Sequence, residues 1–154
     1  MTSYLVYGVL GILYEEIIHP PVYTVEQVRN LQLNIAGSGC KSLFLTDHHQ
    51  NNLLVVLEED KQADLKKIAA AAGTKRLSFA SDEALLKMLG LLPGSVSPFG
   101  LIYDREKRVR LVLDESLAGK RLLFHPNVNT KTIAVWYEDL IRFVEYTGHG
   151  YVRI

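Results

Sequence analysis

Apolar positions along the chain fall into short runs whose period changes between helix-like and strand-like. Residues 4–10 form an apolar run closed by Gly11, which predicts a short buried helix. Residues 12–18 read as a strand, ended by His19-Pro20-Pro21, because proline has no amide donor and restricts its predecessor. Thr24 followed by Gln27 is a capping-box pattern, so a helix should begin at Val25 with Val25, Val28 and Leu31 on one face. Gly37-Ser38-Gly39 reads as a turn or loop. Residues 43–45 and 53–57 read as two strands around a polar tip at 48–52.

Leu65, Ile68, Ala69 and Ala72 share a helical face over residues 64–72, with Gly73 as the stop. A short strand over 77–80 and a helix over 82–89 follow, the helix with acidic residues in its first turn and Gly90 beyond it. Residues 99–103 have strand character. A turn at 104–107 would join them to a half-exposed strand in which Val109, Leu111 and Leu113 alternate with Arg108, Arg110 and Val112. A strand over 132–136 and a helix over 138–147, with Leu140, Phe143 and Val144 inward, close the pattern. Helices and strands mix without a regular strand–helix repeat. The expected fold is therefore α+β, a mixed and partly antiparallel sheet flanked by helices.

A length of 154 residues suggests one domain over 1–154, large enough to bury a core. Lys+Arg and Asp+Glu number 17 each, so the formal net charge is zero. That argues against capture of DNA or long nucleic acid by a basic face, yet leaves room for a pocket that grips one RNA end. The apolar run over 4–14 is too short to span a membrane, and with no basic leader or cleavage site it is not read as a signal peptide. Cys40 is the only cysteine, so no internal disulfide can form, which fits a cytoplasmic location.

Several standard signatures fail. In 36–42, Cys40 separates Gly39 from Lys41, and a strand follows where a phosphate-binding loop needs a helix. The five histidines lack helix-paired metal spacing, so neither a metal nor a cofactor is expected. Adjacent His48 and His49 read as a solvated loop. Cys40 has no nucleophile signature around it, and Ser95 and Ser97 are not in a nucleophile elbow.

Three segments stand apart. Lys41 directly precedes an apolar strand, so burial of its stem would set the ammonium at a pocket edge; the alternative is a solvated lysine. Residues 93–100 hold two prolines and two glycines, forcing an irregular backbone that could aim several N–H groups at one oxygen. The alternative is a plain turn. Residues 124–130 offer His125 with Asn127 and Asn129 in a constrained loop, or simply a turn capped by asparagines.

In order and spacing these segments resemble the YbaK/ProX (PrdX) family of aminoacyl-tRNA deacylases, the group similar to the inserted editing domain of bacterial prolyl-tRNA synthetase. The resemblance spans nearly the whole chain, from Tyr14-Glu15 and His19-Pro20-Pro21 through Lys75-Arg76-Leu77-Ser78 to Gly148-His149. It implies a largely antiparallel, curved sheet and a hydrolase acting on mischarged tRNA, most directly alanyl-tRNA(Pro). Cysteinyl-tRNA(Pro) or another small-amino-acid ester, or a non-catalytic binding module, are the alternatives. Lys41 matches the family's essential lysine, Gly94, Ser95, Val96, Ser97 and Pro98 its Gly-x-x-x-Pro loop, and His125 its late-loop histidine. Ser42, Phe99, Asn127, Asn129 and Thr130 are the expected substrate-binding set; Ser42 stands where family members often carry Asn. The implied partners are the tRNA acceptor end, which the basic residues Lys61, Lys66, Lys67, Lys75 and Arg76 could contact, and prolyl-tRNA synthetase. Asp114 is a candidate partner behind the site.

Overall fold

Four of the five α-helices among the described residues begin where a short polar side chain takes an orphan amide. In the computed structural model, which describes residues 2–154, helix α1 (Ser3–Leu10) starts at Thr2, α3 (Leu65–Ala72) at Asp64 and α4 (Asp82–Leu89) at Ser81. Each cap side chain accepts an amide inside the first turn, from Leu5, Lys67 and Ala84 respectively. All three end on a left-handed glycine, Gly11, Gly73 and Gly90, as the sequence predicts.

Helix α2 (Val25–Asn30) starts at Thr24, whose Oγ1 accepts from the Gln27 amide at 3.1 Å. The return bond goes one residue further back than a capping box requires: Gln27 Oε1 accepts from the Tyr23 amide at 2.6 Å. No residue of α2 is buried.

The strands are β1 (Glu15–Ile18), β2 (Ser38–Thr46), β3 (Asn52–Glu58), β4 (Ser78–Phe79), β5 (Val109–Leu113), β6 (Arg121–Phe124), β7 (Lys131–Trp136) and β8 (Tyr151–Arg153). They form one mixed sheet in the order β1-β7-β6-β2-β3-β5-β8, with β4 also beside β2. The β1–β7, β6–β7, β2–β3 and β2–β4 pairs are antiparallel; β2–β6, β3–β5 and β5–β8 are parallel. Helix α5 (Tyr137–Tyr146) follows β7 directly.

Two apolar layers sandwich the middle of this sheet. Leu54, Val56, Leu111 and Leu113 face one side, packing with Val6, Tyr7, Leu85, Leu89, Phe99, Leu140 and Phe143. Leu45, Leu53, Val55, Leu57 and Val112 face the other, packing with Ile68 and Ala72 of α3. Strand β5 is therefore covered on both faces rather than half-exposed, and alternation misread it because Arg110 sits over the end of α3, where its guanidinium donates to the Ala72 carbonyl.

Other expectations also change. β1 starts only at Glu15. Gly37-Ser38-Gly39 is not a free loop: Ser38 and Gly39 already pair with Leu122 and Leu123. Gly37 is tightly seated, since a Cβ there would lie 2.8 Å from Leu123 Cδ2 and 2.9 Å from the Arg121 carbonyl. Residues 99–103 are not a strand; Pro98–Tyr103 form a 3-10 helix, with Pro98 in its first turn and Ser97 as its cap. β6 and β8, four and three residues long, were too short to register as periodic runs. The tip between β2 and β3 is organised by Asp47, which accepts from the amides of His49, Asn51 and Lys75 and from the Asn51 side chain.

Phe99 is 1% exposed and sits edge-on to Tyr7, Phe124 and Phe143, with ring centroids 5.0–5.6 Å away. Phe99→Ala is expected to cost about 3–5 kcal/mol of unfolding free energy. Urea denaturation measures it; a loss under about 1 kcal/mol would remove Phe99 from the core.

Candidate active site

A cavity of about 470 Å³ opens in the surface. It opens where β2, the 91–98 loop, the end of β6 and the α2 segment meet. Lys41 and Ser42 reach it from β2, Gly94 and Val96 from the loop, His125 from the end of β6, and Tyr23, Val28 and Arg29 from the α2 side. Such a volume suits a nucleoside-sized group with a small substituent.

Five residues expected at the site thus share the cavity: Lys41, Ser42, Gly94, Val96 and His125. The other seven stand behind its wall. Ser97 is fully buried; its hydroxyl donates to Asn127 Oδ1 at 2.8 Å and accepts from the Phe99 amide at 3.2 Å. It links the 91–98 loop to the 125–130 loop instead of facing a ligand. Asn127 holds a left-handed backbone at φ 64°, which asparagine tolerates. Asn129 donates from Nδ2 to the Val22 carbonyl at 3.1 Å and accepts from the Val22 amide at 3.2 Å. The Thr130 carbonyl accepts from the His19 amide at 2.8 Å. Pro98 and Phe99 are core residues of the 3-10 helix, and Ser95 turns back with its amide on the Leu92 carbonyl at 3.0 Å.

That bonding decides which loop amides remain free. The N–H groups of Ser95 and Phe99 are spent internally, whereas those of Gly94, Val96 and Ser97 have no partner among the described residues. Gly94 holds φ 83°, and a Cβ there would press on the Tyr23 ring at 3.1 Å. The glycine is required both by its backbone and by that approach.

His125 faces three influences. Burial lowers its pKa below the ordinary value; a hydrogen bond to the Gly94 backbone opposes this, and nearby His19 adds to the lowering. His125 is therefore a neutral imidazole at neutral pH. His19, absent from the expected set, lies with its ring centroid 5.8 Å away. Its Nδ1 donates to the Pro20 carbonyl at 2.8 Å, which leaves Nε2 to accept from the Thr132 hydroxyl at 2.8 Å. Thr132 also lines the cavity.

Cys40 lines it too. Burial, then the Glu59 carboxylate, push its thiol up to about 12, so no thiolate is available. Lys61 is paired with Asp114 at 2.7 Å, and neither lines the cavity. Lys66, Lys67, Lys75 and Arg76 are exposed and also outside it. Glu59, Arg29 and Tyr23 also line it, and none had a local sequence signal: Glu59 sits in the run Glu58-Glu59-Asp60, which reads as solvated surface.

A lysine, a histidine and a loop with unpaired amides thus meet at one nucleoside-sized cavity. The protein's affiliation follows from sequence: residues 19–143 match the aminoacyl-tRNA editing domain, and the chain belongs to that family. It is 38% identical to the prolyl-tRNA editing protein ProX of Acetoanaerobium sticklandii, over 94% of this chain and 90% of that one. It is 34% identical to the mouse prolyl-tRNA synthetase associated domain-containing protein 1, over 92% and 87%. The fold superposes with TM-score 0.72 on a structure solved as "a putative trans-editing enzyme for prolyl tRNA synthetase", at 19% identity over 97% and 93% of the two chains.

Two outcomes follow. Because neutral His125 is the form present in the site, kcat/KM for deacylation should hold as pH falls through 6.5 and decline only below it. A pH–rate profile checks this, and a midpoint at or above 6.5 contradicts it. Cys40→Ala should leave deacylation nearly intact, as measured by release of amino acid from charged tRNA; a collapse in a folded variant would restore the thiol to the chemistry.

Proposed function

We propose that this aminoacyl-tRNA deacylase acts on alanyl-tRNA(Pro), with Lys41, the Gly94–Pro98 backbone and His125 as its working parts. The observation that carries the reading is the convergence of Lys41, Gly94 and His125 on one cavity, beside loop amides with no internal partner.

The chemistry is ester hydrolysis. Water adds to the aminoacyl carbonyl, and the carbonyl oxygen becomes an oxyanion. Collapse breaks the acyl–oxygen bond to the terminal ribose, whose oxygen leaves with a proton, releasing the free amino acid. Backbone donors fixed before the substrate arrives stabilise the oxyanion, each typically worth about 3 kcal/mol. Lys41 adds an ammonium charge for the carbonyl or the terminal phosphate. Neutral His125 shapes the pocket and orients the terminal adenosine. Family resemblance supplies the remaining element: the substrate's own ribose 2′-hydroxyl assists the attacking water.

The selectivity problem explains the need for such an enzyme. A synthetase pocket built for proline gains only about 1–3 kcal/mol against a smaller amino acid. A second cavity that accepts the smaller side chain and excludes proline removes the error. The reading takes the tRNA acceptor end as the partner, with prolyl-tRNA synthetase as the source of the mischarged substrate.

The test is deacylation of alanyl-, cysteinyl-, seryl- and prolyl-tRNA(Pro) by wild type and Lys41→Ala. Alanine should be released fastest, proline spared, and the variant's rate should fall at least about 100-fold. Preference for cysteine or serine would reassign the substrate within the family. A fully active Lys41→Ala would refute the role given to the lysine.

A further inference from the structure

The cavity contains one acidic side chain, Glu59, and no other carboxylate among the described residues lines it. Its placement is specific. Glu59 follows β3 and stands opposite Gly39, with its amide donating to the Gly39 carbonyl at 3.0 Å. Its carboxylate lies directly over the Gly39 Cα, where any Cβ would collide with it. The bare backbone of Gly39 is thus the seat of the carboxylate.

That carboxylate has acceptor positions open to the cavity. Its side chain is only 23% exposed, and among the described residues it accepts no hydrogen bond. Its one cationic neighbour is Arg29, with Nε at 3.9 Å, and the far end of that guanidinium is paired with Asp60. A partly buried carboxylate that faces a cavity with its acceptor positions free is placed to take a charge-assisted hydrogen bond from a bound cation. Lys41 does not supply that bond, since the two form no ion pair; it lies two residues from Gly39 along β2, roughly 7 Å away on the same strand face.

An aminoacyl ester carries one fixed cation, the α-ammonium, on the carbon next to the carbonyl. Resting on the deacylase reading above, we propose that Glu59 receives the α-ammonium of the aminoacyl group and so selects aminoacyl esters over uncharged acyl esters. Lys41 and the loop amides hold the carbonyl end, while Glu59 holds the amine end, seated by Gly39. Two-point capture fixes which face of the ester the water meets.

The test replaces the ammonium without changing the shape. Alanyl-tRNA(Pro) and lactyl-tRNA(Pro), its α-hydroxy counterpart, are hydrolysed by wild type and by Glu59→Gln. If alanine is not the preferred substrate, the pair is drawn from whichever amino acid wild type releases fastest. The measured quantity is the ratio of kcat/KM between the amino and hydroxy esters, which cancels a general loss of fold or activity within each protein. Wild type should favour the amino ester by about 10–100-fold more than Glu59→Gln does. Gly39→Ala, which displaces the carboxylate, should shift the ratio the same way. A ratio unchanged between wild type and Glu59→Gln overturns the role of Glu59 and leaves the deacylase reading standing. Hydrolysis of no aminoacyl ester overturns that reading, and this role with it.

Discussion

The buried hydroxyl of Ser97 is the joint on which the site depends. It donates to Asn127 and accepts from Phe99, so one oxygen caps the 3-10 helix and ties together the two loops that flank the cavity. The 3-10 helix is in turn anchored by Phe99 in the aromatic core. On the other side, Asn127 sits between His125 and Asn129, and Asn129 clasps the segment at Val22 that leads into α2. Core, 91–98 loop, histidine loop and outer wall are therefore connected through neutral hydrogen bonds, each worth about 1 kcal/mol. Such an arrangement fixes donor positions before a ligand arrives, which is what carbonyl polarisation requires.

Much of the framework was legible along the chain. The cap at Thr24 and the stops at Gly11, Gly73 and Gly90 are local devices, and local devices can be read locally. The long-range features were hidden for identifiable reasons. Strand β5 alternates like a surface strand because Arg110 bends over α3, a contact made across 38 residues. Strand β6 is four residues long and takes its identity from parallel pairing with Ser38 and Gly39.

The site divides in the same way. Lys41, Gly94 and His125 could be picked out because their neighbours are unusual: an apolar strand, a Pro/Gly loop, a Pro-containing turn. The inward or supporting sense of Ser97, Asn127 and Asn129 could not, because a hydroxyl or amide that holds a loop has the same sequence signature as one that holds a substrate. Glu59 was concealed by its charged neighbours, and only its register opposite Gly39 brings it to the cavity.

Strand β2 pairs along its length with β3, but on its other edge it pairs with β6 only at Ser38 and Gly39 and with β4 only at Leu45 and Thr46. Over residues 40–43 that edge has no strand beside it, and the cavity opens there. The cavity is in effect a missing stretch of sheet, bordered there by main chain. Its border along β2 is therefore main chain, which keeps its place when Cys40 or Ser42 is exchanged, while the rest of the outline belongs to side chains such as Tyr23, Val28 and His125.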